Sequence, residues 1–476
     1  MNSLIFLSQF FLSRSASYFV LLARGMYSPA MPSPVIAKWL FAFSCFVLAL
    51  TADLRAQSFT FATLAGGTAG TNDGANNAAQ FYFPSGITLD SKGNLFVADT
   101  SNNTIRKLAR IGTDWLVTTI AGLPAFGGVG GTNDGVNGDA RFWKPNGLTV
   151  DKSGILFVVD HYTHTIRKIT PVGTNWVVST IAGLGQSMGW ADGTNSDARF
   201  WSPTGIALDN SGNLIVGDTY THTIRRITPV GTNWVVTTIA GSPLNFGFVN
   251  DTNMAAQFNL PFGVAVDSSN NIFVADFGNN AIRRIQPIGT NWVVSTVAGS
   301  GTMGSANGTN SNAQFNSPAD VGIDGSGNVY VTDQFNHTIR KITPIGPNWV
   351  VSTIGGVALQ FGTNNGTGDA ARFRKPWGIA VQTNGYLFIV DYANQSIREG
   401  IPSSSAPPTL SITLAGTNVA LLWPLSASAF VLETSGTLSS TASWTALTNG
   451  VIISANGFLL TRTVSNNPAF YRLHGH

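Results

Sequence analysis

A proline recurs as Pro84, Pro145, Pro203, Pro261, Pro318 and Pro376, each time opening the same run of residues, so the chain repeats a unit of about 58 residues six times. A fixed period of that size marks a propeller or solenoid, in which each unit is one supersecondary motif that cannot bury its apolar face alone. The unit is clearest in residues 203–241, PTGIALDNSGNLIVGDTYTHTIRRITPVGTNWVVTTIAG. Four short runs of β-branched and aromatic residues are separated there by NSGN, by a polar turn after Asp218, and by GTN. Such runs bounded by Gly and Asn clusters read as four strands. An Asp and an Arg stand seven residues apart in every copy: Asp99/Arg106, Asp160/Arg167, Asp218/Arg225, Asp276/Arg283, Asp333/Arg340 and Asp391/Arg398.

The ends of the repeat region point to a closed ring. The sixth copy stops near Gly400, before any fourth strand, and the missing strand stands at the other end, where FTFATLAG (59–66) matches WVVTTIAG (234–241). Pairing of first and last segments removes the open edges of the array. Small residues at one position of strand one (Thr88, Thr149, Ala207, Ala265, Gly322 and Ala380) suit the crowding near a propeller axis. Two copies depart from the pattern: Asp320 stands where the others have Gly, and Gln382 where they have Asp.

The P-x-G-[IVL]-x-[LV]-D opening, the N-L-[FI]-V-x-D core and the turn running into I-R resemble the NHL-repeat β-propeller family, over residues 58–400 and in register six times. The resemblance implies an all-β, six-bladed β-propeller. It also implies a choice of roles, because propellers host many functions and related ones include metal-dependent amidating lyases and lactonases.

Outside the repeats, residues 31–56 read MPSPVIAKWLFAFSCFVLALTADLRA: a lysine (Lys38), an apolar run and a small residue (Ala56), which is a secretory signal pattern. The run is shorter than the ~20 residues a spanning helix needs, so no membrane span is expected in the mature form. Translation is expected to begin at Met31. Residues 1–56 hold Arg14, Arg24, Lys38 and Arg55 against Asp53 alone, so the formal +3 of the whole chain belongs to the leader. The neutral remainder offers no basic stripe for nucleic acid. Cys45, the single cysteine, lies in the leader, which excludes a disulfide framework and a Cys-based metal site. At the other end, PSSSAPP marks a linker over 401–408, and residues 409–476 read as a small β-sandwich. That module is similar to C-terminal β modules of secreted bacterial proteins, which implies export, surface retention or a stabilising cap. The expected location is therefore secreted, periplasmic or at the cell surface.

Candidate chemistry is sparse. In a propeller the strand two–three turn and the strand four–one connection share a face, and the long connections (66–84, 122–145, 183–203, 241–261, 299–318 and 356–376) place binding there. The same face gathers His161, His164, His222 and His337, with Asn103, Asn280 and Gln395 at the position of His164 in the other copies. A metal site would need these side chains to converge, yet second strands of neighbouring blades stand about 12 Å apart, so a hydrogen-bonding turn position explains the series better. The Asp/Arg pairs read as architecture, because six equal copies do not make an asymmetric active site. Asp73, Asp134, Asp139, Asp192, Asp197 and Asp251 lie in Gly/Asn-rich loops that admit Ca²⁺ but lack the spacing of a calcium loop. GQSMG (185–189) matches G-x-S-x-G without the following helix that a nucleophile elbow needs. Only two glutamates occur, Glu399 and Glu433.

Trp143, Trp201 and Trp377, beside the repeat proline, and Trp190 either plug gaps between blades or form a stacking surface. Trp115, Trp176, Trp234, Trp292 and Trp349 start fourth strands and read as packing. The leading expectation is a non-catalytic propeller that binds a protein, peptide or glycan on its long-loop face, without cofactor. The alternatives are a metal-dependent lyase- or lactonase-like enzyme using the histidines, and a structural component of the cell surface.

Overall fold

A computed structural model describes residues 58–403, except 126 and 129, together with strand segments between 411 and 475. The expected leader lies outside the described residues, as does the linker beyond residue 403. Among the described residues no helix is long and apolar enough to cross a membrane.

Residues 58–403 form a six-bladed β-propeller, each blade an antiparallel sheet of four strands. In blade three these are Gly205–Leu208, Leu214–Asp218, Thr223–Val230 and Asn233–Ala240. Strand two carries only buried residues, because both faces of each sheet pack against neighbouring blades. The turn between strands one and two is closed by Asp209, whose Oδ1 accepts the amides of Ser211 and Asn213 while Oδ2 accepts Asn213 Nδ2. Asp90, Asp267 and Asp324 repeat this arrangement. Gln382 does not, and in blade six Asn384 Oδ1 accepts the Tyr386 amide instead.

The ring closes as the terminal match implies. Phe59–Gly66 pairs antiparallel with Ser396–Pro402, from Phe59 opposite Pro402 to Gly66 opposite Ser396, and so supplies the fourth strand of blade six. Phe59 and Phe61 are fully buried there. Fourth-strand tryptophans pack edge-on against a second-strand phenylalanine of the preceding blade: Trp176 on Phe96, Trp234 on Phe157, Trp349 on Phe273.

One element escapes sequence periodicity. Two-residue strands, such as Gly74–Ala75 and Gly193–Thr194, lie along the outer edge of the fourth strand in five blades and cover part of that edge. Each leads into a 3-10 turn, opened in blades one, two, three and five by Asn76, Asn137, Asn195 or Asn310, whose Oδ1 accepts the amide of Trp115, Trp176, Trp234 or Trp349, and in blade six by Gly368.

The six Asp/Arg pairs fix these outer segments to the sheets. Arg225 donates through Nη1 to Asp218 Oδ2 (2.8 Å) and the Arg199 carbonyl, and through Nη2 to the Ala191 carbonyl and Asp192 Oδ1. Its guanidinium lies 5.1 Å from the centroid of the Phe200 ring. Arg106, Arg167, Arg283, Arg340 and Arg398 repeat the arrangement: Nη1 of each donates at 2.6–3.0 Å to the aspartate seven residues earlier. Their guanidinium groups lie 5.0–5.1 Å from the rings of Phe81, Phe142, Phe258, Phe315 and Phe373. All six arginines are at most 1% exposed, and all six aspartates are fully buried. Burial pushes Asp99, Asp160, Asp218, Asp276 and Asp391 up to about 6 against the pull of the adjacent arginine, and moves Asp333 in the same direction. The outer partner of the arginine is Asp73, Asp134 or Asp192 in blades one to three, and Asn250, Asn307 or Asn365 in blades four to six.

Beyond residue 410 the described strands form two antiparallel sheets. One has the order 411–415, 418–423, 457–463, 452–454, and the other 445–446, 430–435, 470–475.

Candidate functional site: the axial mouth

Strand one begins where strand two ends, as the pairing of Pro261 with Asp276 shows, so the repeat prolines, the strand two–three turns and the long connections share one face. On that face the residue after each repeat proline is Ser85, Asn146, Thr204, Phe262, Ala319 and Trp377 in turn, and of these Asn146, Thr204, Ala319 and Trp377 line the central channel. The next residue is glycine in five blades because the ring is tight. A Cβ on Gly86, Gly147, Gly205 or Gly378 would come within 2.2–2.4 Å of a carbonyl oxygen of the following blade. In blade five Asp320 takes this place. Its Oδ1 accepts the Val321 amide (2.9 Å), and its Oδ2 reaches across to the Ile379 amide of blade six (3.0 Å). The channel below has a volume of about 350 Å³, and Asp320 is the one charged side chain in its wall among the described residues. Burial pushes the Asp320 carboxyl up to about 7, with the two amides pulling the other way.

The mouth is asymmetric. Blades one to three carry the buried Ser85, Asn146 and Thr204, with the Ser85 and Thr204 hydroxyls bonded to Thr100 and Thr219 of their own blades. Blades four and six present Phe262 and Trp377, whose rings stack at 5.6 Å across the small Ala319 of blade five. The stack continues on both sides: Phe262 on Phe277 (4.0 Å, 18° between planes), Trp377 on Tyr392 (5.0 Å), Tyr392 on Phe83 (4.9 Å) and Phe83 on Tyr82 (4.9 Å). Phe335 meets the far flank of Phe277 edge-on. Burial first, then the charges that Tyr162 and Tyr82 would carry, hold Tyr392 above the usual phenol range. A continuous crescent of seven rings thus follows half the mouth.

The residues singled out from the sequence sit differently with respect to this mouth. Arg106, Arg167, Arg225, Arg283, Arg340 and Arg398, with their aspartates, stay out of the channel wall and are closed inside the blades. Each guanidinium is engaged by its aspartate and by carbonyls of the preceding connection, so the pairs present no group to a ligand.

The histidines each bond to the next blade. His164, His222 and His337 occupy left-handed turn positions (φ 60–61°), and the Nδ1 of each accepts the amide of the residue before the next blade's repeat proline: Ser202, Leu260 and Lys375, at 3.0–3.1 Å. Asn103, Asn280 and Gln395 accept from Lys144, Ser317 and Phe83 in the same way. The series is a ring of latches between blades. His161 donates Nδ1–H to the Pro203 carbonyl (2.9 Å), and burial lowers it to about 4. Among the described residues no three His, Cys, Asp or Glu side chains gather closely enough to hold a metal ion. Of the four tryptophans singled out from the sequence, Trp377 belongs to the crescent. Trp143 meets Tyr162 edge-on, Trp201 lies against Tyr220, and Trp190 is exposed.

The NHL repeat family model matches residues 81–108, 142–169, 200–227 and 258–285, each running from the buried phenylalanine of the Phe-x-x-Pro opening into strand three. The chain carries NHL repeats. NHL repeat-containing protein 2 of Bos taurus is 35% identical over 172 residues, which cover 33% of this chain and 23% of that protein. Among solved structures, a protein of unknown function from Bacteroides thetaiotaomicron shares the fold at a TM-score of 0.56 and 19% identity, over 72% of this chain and 76% of the other. An auxiliary nutrient binding protein from the same organism matches with a TM-score of 0.53 and 16% identity over the same shares.

Within the NHL frame, the loop aspartates weighed for calcium divide in two. Asp73, Asp134 and Asp192 are the outer partners of the buried arginines, and each also accepts a fourth-strand threonine (Thr119, Thr180 or Thr238). Asp139 and Asp197 lie in the 3-10 turns that follow the outer strands, and Asp251 Oδ1 accepts the amide of Thr252. Sequence reasoning missed most of the crescent. Its signal was available as a change of residue type between copies at two NHL positions. After proline the series is Ser, Asn, Thr, Phe, Ala, Trp, and after the repeat aspartate it is Thr, His, Thr, Phe, Gln, Tyr.

Proposed function

We propose that this protein is an exported binding propeller whose ligand, a protein, peptide or glycan, docks at the axial mouth of the long-loop face. The observation that carries the reading is the asymmetry of the mouth. The repeated machinery of aspartates, arginines, latches and turns is nearly the same in all six blades, whereas the residues after the repeat proline and the repeat aspartate are aromatic in blades four and six (Phe262, Phe277, Trp377 and Tyr392) and small or polar in the others. Stacked rings on a rigid scaffold supply large apolar contact at low entropic cost, which suits recognition. A nutrient-binding protein among the fold neighbours accords with a binding role, and the signal pattern of residues 31–56 with action outside the cytoplasm.

The test is titration calorimetry of the purified protein against oligosaccharide and peptide panels, repeated with Trp377→Ala and Trp190→Ala. A ligand is expected to lose at least about tenfold in affinity, about 1.4 kcal/mol, with Trp377→Ala and to be unaffected by Trp190→Ala. Equal affinity for all three proteins would place the ligand elsewhere.

A further inference from the structure

The crescent and Asp320 are neighbours, and together they specify a charge. Trp377 belongs to both, since it lines the channel and stacks between Phe262 and Tyr392. Asp320 lies across the inner edge of blade five, with one oxygen against Gly263 of blade four and the other on the Ile379 amide of blade six. The Val321 and Ile379 amides satisfy part of the carboxylate's capacity and leave its negative charge without a counter-ion, because no Lys, Arg or His lines the channel among the described residues. The six buried Asp/Arg pairs behave differently, each aspartate meeting its arginine within 3.0 Å. Blade five is also the copy in which the rim residue is the small Ala319, so the two large rings flank the approach to this carboxylate. Phe262 and Trp377 are stacked between other rings, so what they offer beside the carboxylate is apolar surface for the carbon part of an organic cation, while ring–cation attraction is open to rings at the end of the stack. The outer end of the crescent already shows it, with Lys375 Nζ 5.1 Å from the Phe335 centroid.

We propose that the axial mouth binds an organic ammonium group, inserted between the Phe262 and Trp377 side of the rim and paired with the Asp320 carboxylate. The proposal rests on the axial-mouth reading and narrows it to one chemistry. The ammonium supplies the missing counter-charge, its N–H donors take the free lone pairs of Asp320, and the carbon next to the nitrogen lies against the rings. A neutral sugar or an acidic peptide offers no such compensation. A free amine and a lysine side chain of a polypeptide share this chemistry.

The experiment uses the full chain and two isosteric probes, benzylammonium and benzyl alcohol, with Nα-acetyl-lysine amide as the side-chain analogue, followed by ligand-observed NMR. Asp320→Gly is the informative variant because it restores the residue that the other five blades carry. A melting curve confirms that it folds, and Asp320→Asn serves as the second variant. The wild type is expected to bind benzylammonium at least tenfold more tightly than benzyl alcohol, and Asp320→Gly to erase that preference. Tighter binding of the lysine amide than of benzylammonium would mark a polypeptide as the source, and the reverse a free amine. Equal binding of the two benzyl probes, a preference that survives Asp320→Gly, or no binding of either cation would overturn the ammonium assignment. If a neutral ligand binds and loses affinity with Trp377→Ala but not with Asp320→Gly, the mouth remains the site and the ammonium is wrong. If neither substitution affects any ligand, the mouth itself is wrong.

Discussion

His222 shows how far a side chain's role depends on its backbone. At φ 61° it occupies a region that Asn and Asp enter more readily than most residues, and its Nδ1 accepts the Leu260 amide at 3.1 Å. The hydrogen bond requires Nδ1 unprotonated, so protonation of His164, His222 or His337 removes the acceptor and sets a cation against an N–H. Burial lowers all three, and Lys375 and Arg374 lower His337 further. A histidine depressed in the folded state stays neutral there while its unfolded counterpart takes up a proton below about 6.5. Its stabilising contribution is therefore complete above that pH and is lost as the pH falls. The buried aspartates raised to about 6 act in the opposite sense, since the native state holds their protons longer on the way up from about 3.8. A comparison between variants isolates the histidines. The triple variant His164→Asn, His222→Asn, His337→Asn keeps the acceptor that Asn103 and Asn280 already supply. It is expected to lose less stability than the wild type between pH 7.5 and 5, read from urea midpoints. Parallel pH profiles would mean that the latches do not titrate in this range.

At the scale of the element, the arginine of strand three holds a blade together. Arg225 joins its own second strand, the connection before blade three and the ring of Phe200 through four hydrogen bonds and one face-on contact. Arg225→Met retains the apolar stem and leaves Asp218 buried without its partner. Breaking one side of a buried pair costs about 3–5 kcal/mol, so a large drop in the urea midpoint is expected. A loss below about 1 kcal/mol would show that the pair is replaceable by apolar packing. This much was legible in the sequence, because an Asp-to-Arg spacing of seven in six copies cannot be accidental, and its equality from Arg106 to Arg398 marked it as scaffold. The outer strands such as Gly74–Ala75 were not legible, since two residues carry no alternation for a pattern to detect. The crescent was hidden for a different reason. Tyr82, Phe83, Phe262, Trp377 and Tyr392 belong to three copies far apart in the chain, and only ring closure brings them into one stack. Read singly, each is one more aromatic residue in an aromatic-rich turn. Asp320 was visible as a departure from the repeat, but its uncompensated charge depends on what faces the channel.

Closure is a property of the whole molecule, and its seam is built differently from the other blade interiors. The fourth-strand position held by Val117, Val178, Val236, Val294 and Val351 is Phe61 in the strand that closes the ring. Opposite it, strand three has Gly400 where the other blades have Leu108, Ile169, Ile227, Ile285 and Ile342. The fourth strand of blade five has Gly355 where blades one to four have alanine. A Cβ on Gly400 or Gly355 would stand 2.6 or 2.4 Å from the Phe61 ring, so both glycines make room for it. The ring is fully buried and meets Phe373 edge-on at 5.1 Å. The large side chain from the first strand of the propeller and the space left in its last form a matched pair that the five internal seams do not need, since each of those is covalently continuous. Two substitutions test the match. Gly400→Ile overfills the seam, at about 1–3 kcal/mol or more, and Phe61→Val empties it, at a similar cost through the lost transfer energy and the cavity. Together they recreate the internal seams, so the double variant is expected to be more stable than Gly400→Ile alone, with a coupling of about 1–3 kcal/mol in a double-mutant cycle. Additive losses would mean that the terminal strand is held by its backbone ladder alone and that the phenylalanine is incidental to closing the ring.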